Sequence, residues 1–167
     1  MAVAALETQT MLPSSTVFCN GGYQFGKRVY HDWKASGHGY VDLHNALVHS
    51  CDVYFYTIGQ RMGIDVMAEF AKDLGLGKAT GVELPSERSG IMPSTAWKQK
   101  AKHEQWLPGE TISAAIGQGY VTVTPLQMAS LVGTVANNGV SYRPRLVQAV
   151  MDRTSGNLQE LPAVPRG

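Results

Sequence analysis

From Val41 onward, apolar and polar side chains follow each other with the period of an α-helix. Leu43, Ala46 and Leu47 fall on one face of such a helix. Asp42, directly before them, is a residue type that commonly caps a helix N-terminus. The pattern therefore predicts a helix that begins after Asp42.

Two more helices are predicted directly afterwards, in "VYFYTIGQRMG" and "VMAEFAKDLGLG", because apolar side chains recur every four residues in both. These apolar positions are Tyr54, Ile58 and Met62 in the first segment, and Val66, Phe70 and Leu74 in the second. Ser50 or Asp52 is expected to cap the first helix, and Asp65 the second. Gly75 and Gly77 are expected to end the second helix.

The clearest helix signal lies within residues 117–139. Thr124 is an expected N-cap, Pro125 occupies the favoured first helical position, and Asn138-Gly139 is expected to end the helix. The next segment, "YRPRLVQAVMDRTSGN", predicts a strand that runs into a turn. A single strand leaves its edges unpaired, so its partner is either a strand at the other terminus or lies outside this chain.

The remaining segments show little periodicity. Residues 11–40 are rich in glycine and turn formers, and residues 78–113 are predicted to have irregular structure. The three tryptophans are expected to be buried in the ordinary way; they are Trp33, Trp97 and Trp106. Residues 160–167 are expected to form a loose tail. The predicted chain is thus mostly helical, with long ordered loops and one C-terminal strand.

Composition narrows the functional classes. The 167 residues are 44% hydrophobic and 16% charged, so the chain can bury a core, and their number is that of about one domain. The formal net charge of +1 argues against a nucleic-acid binder, because no basic block is present to neutralise phosphates. No apolar run of about eighteen residues occurs, and the N-terminal residues are not expected to form a signal peptide.

Four stretches carry a family resemblance: "HGYVDLHNALVHSCDVYFY", "GVELPSERSGIMP", "TISAAIGQGYVTVTPLQMA" and "ANNGV". They resemble the transpeptidase domain of the penicillin-binding protein 2 family, the class B, elongation-specific peptidoglycan D,D-transpeptidases. The resemblance implies an α/β fold, the serine penicillin-recognising or β-lactamase-like fold. Residues 1–167 would represent mainly its helical part.

The family's mechanism uses three motifs, Ser-x-x-Lys, Ser-x-Asn or Ser-x-Asp, and Lys-[Ser/Thr]-Gly. Only the second is present here, as Ser50-Cys51-Asp52. Residues 1–167 are therefore expected to lie between the first and third motifs, and to show little transpeptidase activity alone, because a serine without a base is a weak nucleophile. Without the resemblance, Ser50 would be taken as a helix-capping serine.

A second set of residues consists of Cys19, Asp32, His38 and Cys51. These residue types can form a tetrahedral zinc site, and some members of the family resemble this pattern, which implies a structural zinc that tethers residues 11–40 to the second motif. His31 is the reserve ligand if Asp32 points away. From the residues alone, a Cys19–Cys51 disulfide is favoured over zinc, and it is the resemblance that reverses this order.

The resemblance also implies the surroundings of the enzyme. Gly117, Gln118 and Gly119 resemble a stretch near the floor of the active site. The expected partners are peptidoglycan stem peptides, β-lactams, and the glycosyltransferase and scaffold proteins of the elongation complex, and the expected location is the periplasmic face of the bacterial inner membrane. A different class stays open, in which the chain is a zinc-stabilised, noncatalytic scaffold or binding module of the elongation machinery.

Overall fold

A computed structural model describes residues 1–166, which divide into two compact units. The first unit comprises residues 1–71 and 92–122, and the second comprises residues 72–91 and the chain from Val123 onward. None of the helices within residues 1–166 is long and apolar enough to cross a membrane.

Helices dominate the first unit, and one long helix lies in the second. In chain order the helices are α1 (Ala2–Glu7), α2 (Leu43–Val48), α3 (Asp52–Met62), α4 (Ile64–Asp73), α5 (Thr95–Lys102), α6 (Pro108–Ala115) and α7 (Pro125–Ala136). The Asp42 cap is confirmed, because its carboxylate accepts a hydrogen bond from the Asn45 backbone N–H. Thr124 likewise caps α7 and forms a reciprocal capping box with Gln127.

The other two predicted caps are wrong. Cys51 is the N-cap residue of α3, and its own side chain makes no capping hydrogen bond, while Asp52 is already the first helical residue. Asp65 lies inside the first turn of α4, where its carboxylate accepts hydrogen bonds from the backbone N–H and the hydroxyl of Thr95.

The strands within residues 1–166 form three two-stranded antiparallel sheets. The strands are β1 (Val17–Cys19), β2 (Gly22–Phe25), β3 (Arg28–His31), β4 (Gly39–Val41), β5 (Ala149–Met151) and β6 (Leu158–Glu160). β1 pairs with β4, β2 with β3, and β5 with β6. Residues 11–41 therefore contain four short strands that the sequence pattern does not predict.

Two further segments correct the sequence-based picture. Residues 78–113 are not uniformly irregular, since they include α5 and most of α6. The predicted C-terminal strand exists as β5, but its partner β6 follows the turn directly. The segment 160–167 is not loose over its described part, because Glu160 belongs to β6 and Arg166 donates its backbone N–H to the Ser141 carbonyl.

The core of the first unit is built around α3, which packs along α6. Tyr54 and Ile58 of α3 and Ile112 of α6 are fully buried. The two helices approach most closely at Gly59, where a Cβ atom would lie 2.5 Å from the Cβ of Ala115. A glycine is required there because the backbone of α3 meets a side chain of α6 directly.

The second unit is organised by a buried amide. The side chain of Gln127, which is 1% exposed, donates hydrogen bonds of 2.6 and 2.7 Å to the carbonyl oxygens of Lys78 and Ser89. The two bonded carbonyls bound a loop, residues 78–89. Within this loop, the Glu87 carboxylate accepts hydrogen bonds from the backbone N–H groups of Thr80 and Gly81. α7 thus fixes a loop that has no regular structure of its own.

Candidate functional site

The second motif forms the tight turn between α2 and α3. Ser50 has a positive φ of 51°, a left-handed conformation that is uncommon for residues other than glycine. The turn is closed by the Cys51 backbone N–H, which donates a hydrogen bond of 2.9 Å to the Ala46 carbonyl. Ser50 is exposed, whereas Cys51 is completely buried, so the neighbouring side chains point to different environments.

On the exposed side of this turn lies a cavity of about 390 Å³. Ser50 and Asp52 line it together with Met1 and Ala2 at the start of α1. The end of α6 contributes Ala115 and Ile116. Burial raises the pKa of Asp52, although a hydrogen bond from the Trp33 backbone N–H opposes this effect.

Gly117, Gln118 and Gly119 follow Ile116, the C-cap residue of α6. The residues of this region that line the cavity are Ala115 and Ile116, so the three predicted substrate-binding residues lie just beyond its wall. Gly117 and Gly119 have φ values of 76° and 71°, as their glycine identity allows. The Gln118 backbone N–H donates to the Ser113 carbonyl, which folds this segment back onto α6.

On the buried side of the turn, the four candidate ligands come together. One ligand atom each from Cys19, Asp32, His38 and Cys51 lies within 4.8 Å of all the others. The Cys19 sulfur is 3.5 Å from Asp32 Oδ2 and 3.6 Å from His38 Nδ1, and Asp32 Oδ1 is 3.5 Å from the same nitrogen. Both cysteines are free thiols in the structure.

Local backbone geometry explains why distant residues meet there. The β1–β4 register pairs Cys19 with Gly39, and the His38 backbone N–H donates a hydrogen bond of 3.1 Å to the Cys19 carbonyl. A Cβ atom at Gly37 would overlap that same carbonyl, so only glycine permits the approach. Asp32 lies beside these residues because its backbone N–H donates a hydrogen bond of 3.0 Å to the Gly21 carbonyl.

Asp32 is held as a carboxylate by its neighbours. Burial alone would raise its pKa, but hydrogen bonds from the backbone N–H groups of Lys34 and Val53, each 3.1 Å long, outweigh burial and lower the pKa. His31 points elsewhere, is exposed, and does not belong to the cluster.

The donor set fits a tetrahedral zinc ion. Zinc bonds of about 2.0–2.3 Å place neighbouring donor atoms roughly 3.3–3.8 Å apart. The separations among Cys19, His38 and the two oxygens of Asp32 fall in this range, and all four candidate donors lie within 4.8 Å of one another. Burial, together with the adjacent Cys19 thiol, raises the pKa of Cys51 to about 12. A divalent cation among these groups would reverse that preference, because it favours the thiolate.

Trp33 is the residue that sequence reasoning missed. Its side chain is 66% exposed rather than buried, and its indole N–H contacts the second motif. The only sequence feature that singles out Trp33 is its position directly after Asp32. That feature does not indicate a hydrogen bond to the carbonyl of Ser50, seventeen residues further along the chain. Trp97 and Trp106 are half-buried.

Comparisons with known proteins agree with this architecture. The family described as the penicillin binding protein transpeptidase domain matches residues 1–166. The peptidoglycan D,D-transpeptidase MrdA of Acinetobacter baumannii is 45% identical over 72% of this chain, and that of Haemophilus influenzae is 40% identical over 90%. The chain spans only 18% and 23% of the lengths of these two relatives.

Solved structures give the same result. Pseudomonas aeruginosa PBP2 in complex with WCK 5153 superimposes with a TM-score of 0.84 and 37% identity, covering 88% of this chain and 32% of that one. Helicobacter pylori PBP2 in complex with MreC gives 0.83 and 33%, covering 95% of this chain and 29% of that one. The resemblance drawn from the motifs is confirmed, and the chain belongs to the penicillin binding protein transpeptidase domain family.

Proposed function

We propose that this chain forms part of a peptidoglycan D,D-transpeptidase that cross-links stem peptides through a serine acyl-enzyme during cell elongation and is a target of penicillins. The observation that carries the proposal is the shared cavity of Ser50, Asp52, Met1 and Ala2. Met1 and Ala2 begin the segment that the resemblance places directly after the nucleophilic Ser-x-x-Lys. The second motif and the neighbourhood of the first therefore meet at one cavity.

Each residue of the second motif has a separate task in this reaction. The Ser50 hydroxyl relays a proton during acyl transfer, and the Asp52 carboxylate accepts hydrogen bonds from the bound peptide. Gly117, Gln118 and Gly119, beside the cavity wall, contribute backbone groups to substrate binding. The nucleophile itself is not among the residues of this chain.

The buried cluster is proposed to hold one structural zinc ion through Cys19, Asp32, His38 and Cys51. Four protein ligands leave no coordination position for a reacting water, so the site has no catalytic role of its own. When bound, zinc supplies positive charge that stabilises two thiolates and a carboxylate in a buried site. The ligands then fasten the β1–β4 region to the turn that carries Ser50.

The proposed partners follow from the family. Helicobacter pylori PBP2 was solved in complex with MreC, and another similar structure belongs to a peptidoglycan synthase complex that coordinates polymerisation and crosslinking. By analogy, the complete protein would contact a scaffold protein and a glycosyltransferase at the periplasmic face of the inner membrane. Nucleic acid is not among the expected partners.

The test is covalent labelling with a β-lactam. The complete protein translated from the encoding gene should gain one penicillin adduct by intact mass, and the Ser50→Ala variant should gain it far more slowly. The 167-residue chain alone should gain none. An adduct on that chain would overturn the assignment of the nucleophile, and the absence of any adduct on the complete protein would favour a noncatalytic scaffold instead.

A further inference from the structure

The side chain of Trp33 makes an unusual set of contacts for an exposed residue. Its indole N–H lies 3.0 Å from the carbonyl oxygen of His49 and 3.0 Å from that of Ser50. Its backbone N–H donates a third hydrogen bond, 3.2 Å long, to the Asp52 carboxylate. All three contacts fall on the four residues that contain the second motif.

The shared indole hydrogen bond constrains the backbone of Ser50 in particular. The carbonyl oxygens of His49 and Ser50 lie on either side of the Ser50 Cα, so their separation depends only on φ and ψ of Ser50, because the peptide planes are rigid. One N–H that binds both oxygens therefore favours the combinations of φ and ψ that bring these two oxygens close together. The left-handed conformation of Ser50, with φ of 51°, is one of these combinations, and it is one that serine seldom adopts unaided.

The same indole ring also contacts the zinc ligand set. Its centroid lies 5.5 Å from that of the His38 imidazole, and His38 in turn stacks on His49 at 5.9 Å with an interplanar angle of 16°. Trp33 thus lies between the buried cluster and the exposed turn. It is also covalently attached to Asp32, so its position depends on the loop that the cluster holds.

We propose that Trp33 is a positioning residue for acyl transfer: its indole N–H holds the Ser50 backbone in the conformation that presents the Ser50 hydroxyl to the cavity. This inference rests on the proposed function, since the positioned hydroxyl matters only if acyl transfer occurs there. It assigns to Trp33 a task separate from zinc binding. Asp52 is oriented by the same residue through the backbone N–H, which side-chain replacement leaves in place.

The sharpest test replaces only the N–H group. In the complete protein, 3-benzothienylalanine at position 33 keeps the shape of the bicyclic ring and puts sulfur where the N–H stood, and Trp33→Phe gives a simpler second variant. The matched control is the same replacement at Trp106. The indole N–H of Trp106 donates a hydrogen bond of 2.8 Å to the Thr111 hydroxyl, away from the second motif. Stopped-flow labelling separates the acylation rate constant from the dissociation constant of the noncovalent penicillin complex.

Loss of one shared hydrogen bond should slow acylation about fivefold to tenfold. The noncovalent dissociation constant and the zinc content should change less than about twofold, and the Trp106 control should acylate at the wild-type rate. Unchanged acylation in both Trp33 variants would overturn the inference, as would a rate loss that only parallels a loss of zinc. A wild-type protein that forms no adduct would instead refute the proposed function, and the inference with it.

Discussion

The Asp32 carboxylate accepts a 3.1 Å hydrogen bond from the backbone N–H of Val53, in the first turn of α3. The Cys51 side chain makes no capping bond at this helix end, so Asp32 acts as a cap supplied from a distant segment. One side chain therefore serves both the candidate zinc site and the start of the helix that carries Asp52. Substitutions at Asp32 can separate these two roles.

Asp32→Asn should keep part of the cap, whereas Asp32→Ala should lose it entirely. An asparagine oxygen can still accept the Val53 N–H, so the metal-free Ala variant should have a free energy of unfolding about 1 kcal/mol lower than the Asn variant. Both variants should lose most bound zinc, because neither offers a carboxylate. Denaturant unfolding in chelator, with zinc content measured by mass spectrometry, checks both expectations, and equal stability of the two variants would contradict the capping role.

Removal of zinc should loosen the chain. If the ion is present at a hundred to a thousand times its dissociation constant, chelation should lower the melting temperature by roughly 5–15 °C. Cys51→Ala should bind no zinc and resist further destabilisation by chelator. His44→Ala is the matched control, because His44 is exposed on α2 and lies outside the cluster, so this variant should keep one zinc per chain.

The same samples distinguish zinc from a disulfide. Zinc-bound cysteines become reactive towards a thiol reagent after chelation and denaturation, without any reductant. Two unreactive sulfurs in an unreduced, zinc-free chain would establish the Cys19–Cys51 disulfide and contradict the metal proposal.

Gln127→Glu should strongly destabilise the second unit. The substitution keeps the side-chain shape but places a carboxylate oxygen against the carbonyl groups of Lys78 and Ser89, which both lose their donor. Buried groups left unsatisfied in this way should lower the free energy of unfolding by about 3 kcal/mol. Met128→Leu is the adjacent control at a 43% exposed position and should change it by less than about 0.5 kcal/mol.

The loop that contains Glu87 should loosen in acid. Hydrogen bonds lower the pKa of Glu87 below its ordinary value. The largest contribution comes from the Thr80 hydroxyl, and the backbone N–H groups of Thr80 and Gly81 contribute less. Its stabilising contribution is therefore present at neutral pH and is lost as pH falls from the ordinary glutamate pKa of about 4.3 towards the lowered value. Hydrogen exchange at the Thr80 and Gly81 amides should accelerate over that range relative to the intrinsic exchange rate, which itself falls with pH.

Glu87→Gln provides the control for this pH dependence. The amide has no proton to gain, so exchange at the same two sites should start faster at neutral pH and show no such transition after correction for intrinsic rates. A wild-type transition that persists in Glu87→Gln would assign the acid sensitivity to another group.

The helix caps show which parts of the fold could be predicted from sequence. Asp42 and Thr124 were identified correctly because a capping side chain bonds a backbone N–H only three residues away. Asp65 was assigned wrongly because its carboxylate instead binds Thr95, thirty residues further along the chain. Ser94 caps α5, because its hydroxyl accepts a hydrogen bond from the Trp97 backbone N–H three residues away. This cap is equally local, so the sequence could have predicted it.

The strands and the site depend on contacts that no local pattern contains. Strands of three or four residues are too short to display a period of two, and the partner of β1 is β4, a distant segment whose Val41 lies opposite Val17. The sequence could suggest the residue types of the metal cluster, since cysteine, histidine and aspartate are all zinc ligands. The bond between Trp33 and the Ser50 carbonyl exists only in the folded chain.

The contact between Gly59 and Ala115 has a consequence for natural variation. Ala115 lines the cavity beside Ser50, whereas Gly59 stands behind it on α3 and does not line the cavity. A methyl group added at Gly59 would displace Ala115 and so change the shape of the cavity without replacing any residue that lines it. If the cavity binds penicillins as proposed, a substitution at Gly59 would therefore alter inhibitor sensitivity from a position that the inhibitor does not contact.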